Sequence, residues 1–395
     1  MVTKMAGVHQ YFRKNLIYSL TANNKPMKRS YTKISMLLLL AVFCFSTEAL
    51  AQLDLPRGSQ KAKVSQRIGI TDITIVYSRP SVNDREIWGN LVPYGMNNLG
   101  FGTATESPWR AGANENTIFK TTDDIKVEGK DLPAGKYGLH MIINEDNTAT
   151  VIFSKNHGAW GSFFYDPAED ALRVDVTTKE IPHKEQLQFE FNEVDATSAV
   201  ASLNWEKKQV PFKIEVPVTD IVLADIRQKL QAQPGFNRQT WEQAANFALN
   251  NGGDLDEALQ WVDAAIAGQF FSQKTFNNLN IKAQILGKQG KTAEAEALME
   301  EALPLGTVFQ VHGYGRQLIA QGQTDKAMEV FQWNAKNHKN TWPVHYGLAR
   351  AYSAKGDHKS TLKHLKIALQ NAPAQANRDR VQANIEKAEK GESIN

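Results

Sequence analysis

After Gln52 the hydrophobic positions recur at every second residue. Ile73, Ile75 and Tyr77 alternate with Thr74, Val76 and Ser78, and Tyr137, Leu139, Met141 and Ile143 alternate with Lys136, Gly138, His140 and Ile142. Leu187, Phe189 and Phe191 form a third series, and Val210, Phe212, Ile214 and Val216 a fourth. A period of two sends one set of side chains to a buried face and the other toward solvent or a second layer. Clusters such as Leu132-Pro133-Ala134-Gly135 and Glu145-Asp146-Asn147 punctuate the runs as turns do. Short strands with no helical pattern between them predict an all-β domain over residues 57–217, built as an antiparallel sandwich.

From Val218 the period becomes helical. Val218 to Gln231 reads as one connecting helix, stopped by Gln233-Pro234-Gly235, so residues 218–235 form a helix and linker. Gly253, Gly290, Gly322 and Gly356 then recur at spacings of 37, 32 and 34 residues. Five residues after each stands Ala258, Ala295, Ala327 or Thr361, and nine after stands Val262, Met299, Phe331 or Leu365. Gly315 and Ala349 precede the last two glycines by seven. This resembles the tetratricopeptide repeat, a helix-turn-helix unit of about 34 residues. Small residues are needed where paired helices approach closely. The clearest copy is 342–373; Lys282 stands where a leucine is usual, and Asn334 where an alanine packs. Residues 236–395 are therefore expected to form an all-α domain of four repeats, with 374–389 as a solvated capping helix.

The N-terminus carries a different signal. Met27 to Lys33 is basic, residues 34–45 (ISMLLLLAVFCF) are apolar but short for a bilayer span, and Ala49-Leu50-Ala51 has small residues where a signal peptidase reads. The expectation is a signal peptide within 1–51, cleaved after Ala51, with Met27 as the true start and a periplasmic or secreted product. Residues 1–51 hold seven of the 45 basic and one of the 42 acidic residues, leaving a mature net charge of −3. That is a poor match to nucleic acid, which needs clustered Lys and Arg. The one cysteine, Cys44, falls in the signal, so the mature sequence offers no disulfide, thiolate nucleophile or cysteine metal site. Ala41-Val42-Phe43 before it lacks the small pair of a lipoprotein signal, and no later stretch is apolar enough to span a membrane.

Reactive motifs are scarce. There is no phosphate-binding glycine loop, HExxH or GxSxG, and His140, His157 and His183 match no ligand spacing. No pattern calls for a cofactor, a metal or a catalytic set. Gly100-Phe101-Gly102 reads as a loop, and His140, opposite the apolar set of its strand, is placed on an outer surface or in a cleft. The remaining signal is a set of polar and aromatic clusters: YSRPSVNDREIWGNLVPYG, PWRAGANENTIF, LPAGKYGLHMI and Trp160-Gly161. Together these resemble an exported bacterial family known as domain of unknown function 2911, over residues 57–217. The resemblance implies a compact β domain and supplies no activity or catalytic residue. It also marks Met96 to Pro108 as an insert, read as a mobile loop.

Ser107-Pro-Trp-Arg-Ala-Gly-Ala-Asn-Glu-Asn-Thr117 admits two readings. As a corner, Trp109 fills the core, Gly112 takes a positive φ, Asn114 folds onto nearby backbone, and Arg110 pairs with Glu86, Glu115 or turn carbonyls. As a site, Arg79, Arg110, Asn114 and His140 converge on a cleft for an anion or a glycan, with Trp109 as a stacking wall. In the helical half the repeat resemblance implies a groove lined by Thr240, Gln243, Phe247, Asn277, Asn280, Gln284, His312, Arg316, Tyr346 and Arg350. Arg316 and Arg350 occupy equivalent positions, which suits an extended peptide with acidic groups. The overall expectation is an exported, non-enzymatic interaction protein whose repeats hold a protein or peptide partner. The alternative is a glycan- or anion-binding module, or an enzyme, in the β domain.

Overall fold

The structure is a computed structural model and describes residues 55–338 and 341–395. The expected signal segment, with Met27, Cys44 and Ala51, lies outside the described residues. The alternating runs form strands β1 (Gln60–Ile68), β2 (Thr71–Arg79), β3 (Thr117–Thr121), β4 (Ile125–Val127), β5 (Lys130–Leu132), β6 (Gly135–Ile143), β7 (Thr148–Ser154), β8 (Asp170–Thr177), β9 (Lys179–Asn192) and β10 (Ser198–Glu215). Their pairings are antiparallel, in one sheet ordered β1-β2-β3-β6-β7-β8 and a second ordered β5-β4-β10-β9.

The two sheets share one core. Ile73, Ile75, Phe119, Leu139, Met141 and Phe153 of the larger sheet meet Leu187, Phe189, Leu203, Val210, Phe212 and Ile214 of the smaller. Rings cross the interface: Tyr77 lies 4.9 Å from Phe189, and Phe153 5.9 Å from Phe212. Burying such a side chain contributes about 1.5–3 kcal/mol relative to exposure, so the inward set fixes the strand register.

Strand β6 is buried on both faces. Its outer face is covered as well, by the segment running from Asn156 to Tyr165. Gly138 lets this layer approach, since a Cβ there would lie 2.7 Å from the Asn156 carbonyl oxygen. His140 is thus enclosed at 2% exposure, where the sequence placed it on a surface or in a cleft. Period two identifies which residues share a face; it does not say whether a second layer covers the polar one.

The helical half consists of α1 (Val218–Leu230), α2 (Arg238–Asn250), α3 (Leu255–Ile266), α4 (Phe276–Lys288), α5 (Thr292–Ala302), α6 (Val308–Ala320), α7 (Thr324–Asn337), α8 (Trp342–Ala354), α9 (His358–Asn371) and α10 (Gln375–Glu389). Val218 and Ile221 of α1 pack on the sandwich core. Helices α2 to α9 pair as four hairpins, and α10 buries Val381, Ile385 and Ala388 against the last of them. Helix starts follow capping chemistry: the Asp254 carboxylate accepts from the Asp256 and Glu257 amides, and Thr275 with Asn278 and Thr307 with Gln310 form reciprocal boxes.

The repeat positions have mechanical roles. Phe331 is fully buried where Gly315 and Gly347 leave room, since a Cβ at either glycine would lie within 2.5 Å of its ring. In the first hairpin the positive-φ glycine is Gly252, not Gly253; Gly253 is instead pressed against Ala248. Both departures from the repeat pattern are satisfied. Lys282 pairs with Asp263 at 2.7 Å, and buried Asn334 donates to the Val308 carbonyl at 3.0 Å.

One junction differs from the others. Helix α2 packs along α4, and α6 along α8, but the backbones of α4 and α5 stand off from α6. The turn Leu303–Leu305, with Pro304, makes the link there.

Candidate functional site

The β half carries a cavity of about 360 Å³, open to solvent past Leu91 and Leu99, whose wall includes Arg85, Trp109, Arg110, Asn114, Ser162 and Trp205. Trp109 is held by a two-bond bridge to β6, its amide donating to the Met141 carbonyl at 2.9 Å and its carbonyl accepting in return at 2.8 Å. It stacks on Trp205 at 5.9 Å and 16°, while Trp88 meets both edge-on. Ala111 and Asn114 take the left-handed backbone conformation, at φ 49° and 60°. Gly112 does not, contrary to the corner reading. A glycine is needed there for space, because a Cβ would lie 2.9 Å from Thr117 Oγ1 and 3.1 Å from the Ser78 carbonyl.

Of the partners expected for Arg110, a turn carbonyl is the one it takes: its Nη1 donates to the Asn114 carbonyl at 2.7 Å, and its guanidinium lies over Phe163 at 5.3 Å. Burial lowers its pKa. Asn114 Nδ2 donates to the Ser59 carbonyl. Of the other expected members, Arg79 is used structurally, its Nε donating to the Leu187 carbonyl at 2.9 Å. His140 lies behind the wall, with Nδ1 3.0 Å from Ser162 Oγ. Burial, reinforced by the charge of Arg110, lowers its pKa to about 4. A ring of such low proton affinity is neutral at pH 7 and a weak general base there.

The insert from Met96 to Pro108 is built into this site. Asn97 and Ser107 exchange backbone hydrogen bonds at 3.0 and 2.8 Å, and the Ala104 amide donates to the Phe163 carbonyl at 3.1 Å. Gly102, at φ 85°, sits so close that a Cβ would fall 2.1 Å from the Phe163 carbonyl oxygen. Sequence reasoning missed Trp205, Ser162 and Arg85. Ser162 directly follows the flagged Trp160-Gly161 pair, and Arg85 sits in a flagged cluster. Trp205 carried no signal, since an aromatic in an apolar strand reads as core.

The helical face is divided. Asn280 and Gln284 line a cleft of about 400 Å³ at the open junction, with Lys288, Glu296, Tyr314 and Gln317. Asn280 Oδ1 is buried and has no hydrogen-bond partner. Burial, and then the charge of Glu296, raises the Tyr314 pKa. Gln243 and Arg316 are exposed or half-buried along this face with Thr240, Phe247 packs on the first hairpin, and Asn277 donates to Glu242 at 2.9 Å. Tyr346 was expected on the groove surface but is buried, accepting from Asn384 Nδ2 of α10 at 2.5 Å. His312 stacks flat on Tyr346 at 5.9 Å and 5° and contacts the Pro343 carbonyl at 3.0 Å. Burial lowers the His312 pKa to about 4, the charges of Arg350 and Arg316 reinforcing it against the Pro343 bond. Arg350 is not free to line a groove with Arg316: its Nη1 donates to the Ile394 carbonyl at 3.0 Å. The capping helix and last residues cover this end because Ile394 and Ile385 bury their apolar surface there.

Among the described residues no helix is long and apolar enough to cross a membrane, and no group of three or more His, Cys, Asp or Glu is placed to hold a metal ion. Similarity to known proteins follows the same division of the chain. The helical part is similar to the C-terminal part of a TPR repeat-containing protein from Cytophaga hutchinsonii, at 14% identity, 44% of this chain, 70% of that one and a TM-score of 0.31. It is similar to YrrB, a TPR protein with an unusual peptide-binding site, at 16% identity, 42% and 84% coverage and a TM-score of 0.27. It is also similar to a thermophilic TPR protein of Thermus thermophilus, at 16% identity, 43% and 90% coverage and a TM-score of 0.29. No match was found among curated proteins. The sandwich that carries the Arg110 cavity, residues 59–214, matches the family model described as a protein of unknown function, DUF2911.

Proposed function

We propose that the chain is an exported, non-enzymatic interaction protein whose helical repeats hold an extended segment of a protein partner. The cleft between α4, α5 and α6 carries this reading. It lies where the second and third hairpins meet and is lined by amide side chains, Asn280, Gln284 and Gln317. Amides that both donate and accept suit the backbone of an extended peptide. The arginine line gives way to this cleft as the contact surface, because Arg350 is committed to the Ile394 carbonyl. Export is supported by the basic, apolar and small-residue pattern of residues 27–51.

Display of random peptides on the purified chain tests the cleft. Peptides enriched by the unaltered protein are expected to lose binding at least tenfold to an Asn280→Ala, Gln284→Ala variant that melts normally. Retention of those peptides by the variant overturns the reading. N-terminal sequencing of the secreted protein is expected to begin at Gln52.

A further inference from the structure

We infer that the cavity of the β half is a binding site for a small organic carboxylate with an apolar body, held by Arg110. This site is independent of the helical cleft. The lining residues include two arginines and no carboxylate, so the wall carries positive charge. Arg85 is engaged at its own turn, donating to the Val82 and Ser81 carbonyls at 3.0 and 2.5 Å. Arg110 is half-buried and spends Nη1 on one carbonyl, which leaves donors of a planar fork. The indole of Trp205 lies in the same wall, 1% exposed, its buried Nε1–H without an acceptor.

The chemistry of the ligand follows from what surrounds these donors. A planar guanidinium matches a carboxylate through two parallel bonds. Beside the polar Ser59, Asn97, Ser107, Asn114 and Ser162, the wall offers apolar surface from Leu91, Val92, Pro93, Leu99, Pro108 and Trp109. Those apolar faces match a hydrocarbon or aromatic body on the carboxylate. A volume near 360 Å³ sits at the lower end of small-molecule sites, which span about 300–1,000 Å³.

Tryptophan emission reports directly, because Trp109 and Trp205 are both in the wall. The purified chain would be titrated with acetate, hexanoate, benzoate, glucuronate, sulfate and phosphate. Hexanoate or benzoate is expected to give a saturable change, at least tenfold tighter than acetate. Arg110→Gln is expected to weaken it at least tenfold, and Arg110→Lys to restore only part. Leu99→Asp, at an exposed position on the rim, places an acid near the fork without touching the Asn114 turn. It is expected to weaken binding at least fivefold with an unchanged melting temperature. Four results would overturn the assignment. They are no saturable response up to about 10 mM, sulfate or phosphate binding as tightly as benzoate (an adventitious ion only), glucuronate binding alone, or full affinity in folded Arg110→Gln or Leu99→Asp.

Discussion

The sheet half and the helical half handle polar side chains in opposite ways. The sandwich draws His140, Ser162, Arg110 and Trp205 into or behind the wall of one cavity, under a second layer laid across β6. The repeats leave Gln243, Arg316 and other polar groups of their first helices within reach of solvent, and hold a cleft where the second hairpin meets the third. Sheets join residues far apart in sequence, so a polar cluster can be assembled and shielded at one point. Stacked hairpins contact chiefly their neighbours, so their chemistry is spread along a surface. The first arrangement suits a small ligand gripped by a few groups; the second suits an extended partner.

Substitutions in the two cores give the largest contrast. Phe212→Ala and Phe331→Ala each remove a fully buried ring and should each cost about 3–5 kcal/mol. Hydrogen exchange is expected to show Phe212→Ala loosening both sheets together and Phe331→Ala loosening chiefly the third and fourth hairpins. Equal loosening of all ten helices by Phe331→Ala would break the comparison. Gly102→Ala should come next, at about 1–3 kcal/mol, because it combines a left-handed backbone with a collision at the Phe163 carbonyl. Its emission spectrum should shift as the wall of the cavity is displaced, while the helical transition stays in place.

The third contrast is one of pH. His140 holds its proton only below about pH 4 when folded, whereas an unfolded histidine takes one near 6.5. The unfolded state therefore binds more protons between those values. Stability from this group is complete above pH 6.5 and falls as the pH drops toward 4, by about 1 kcal/mol per unit. His140→Gln should flatten that slope in the sheet transition, and His312→Gln in the repeats, as read from denaturant midpoints across pH 4–7. The smallest effect is expected at the exposed Arg227–Glu257 pair, 2.7 Å apart, where Arg227→Ala should cost about 0.2–1 kcal/mol and less at high salt.

Much of the architecture was legible. Period two in Tyr137 to Ile143 marked an inward face, and all four inward residues are buried. The recurring glycines and the small residues five positions later marked the hairpins, with Gly252 for Gly253 as a slip of one residue at a helix end, where the pattern is least sharp. The wall of the β cavity was legible only in part. Trp109, Arg110 and Asn114 stand in one short stretch, so the sequence itself put them together. Arg79 and His140 are at positions of the right chemistry, but their direction depends on what covers them.

By itself the sequence determined the two periods, and with them which residues share a face, where strands give way to helices, and where close helix packing requires the small residues Gly315 and Ala349. Local sterics and solvation set these features, and each is written within a few neighbouring residues. Only the tertiary structure decided that Ser162 and Trp205 join Arg110, that α10 and Ile394 cover Tyr346 and Arg350, and that a cleft lies between α4, α5 and α6. Those outcomes depend on surfaces brought together from distant parts of the chain, where one burial competes with another and no local pattern records the result.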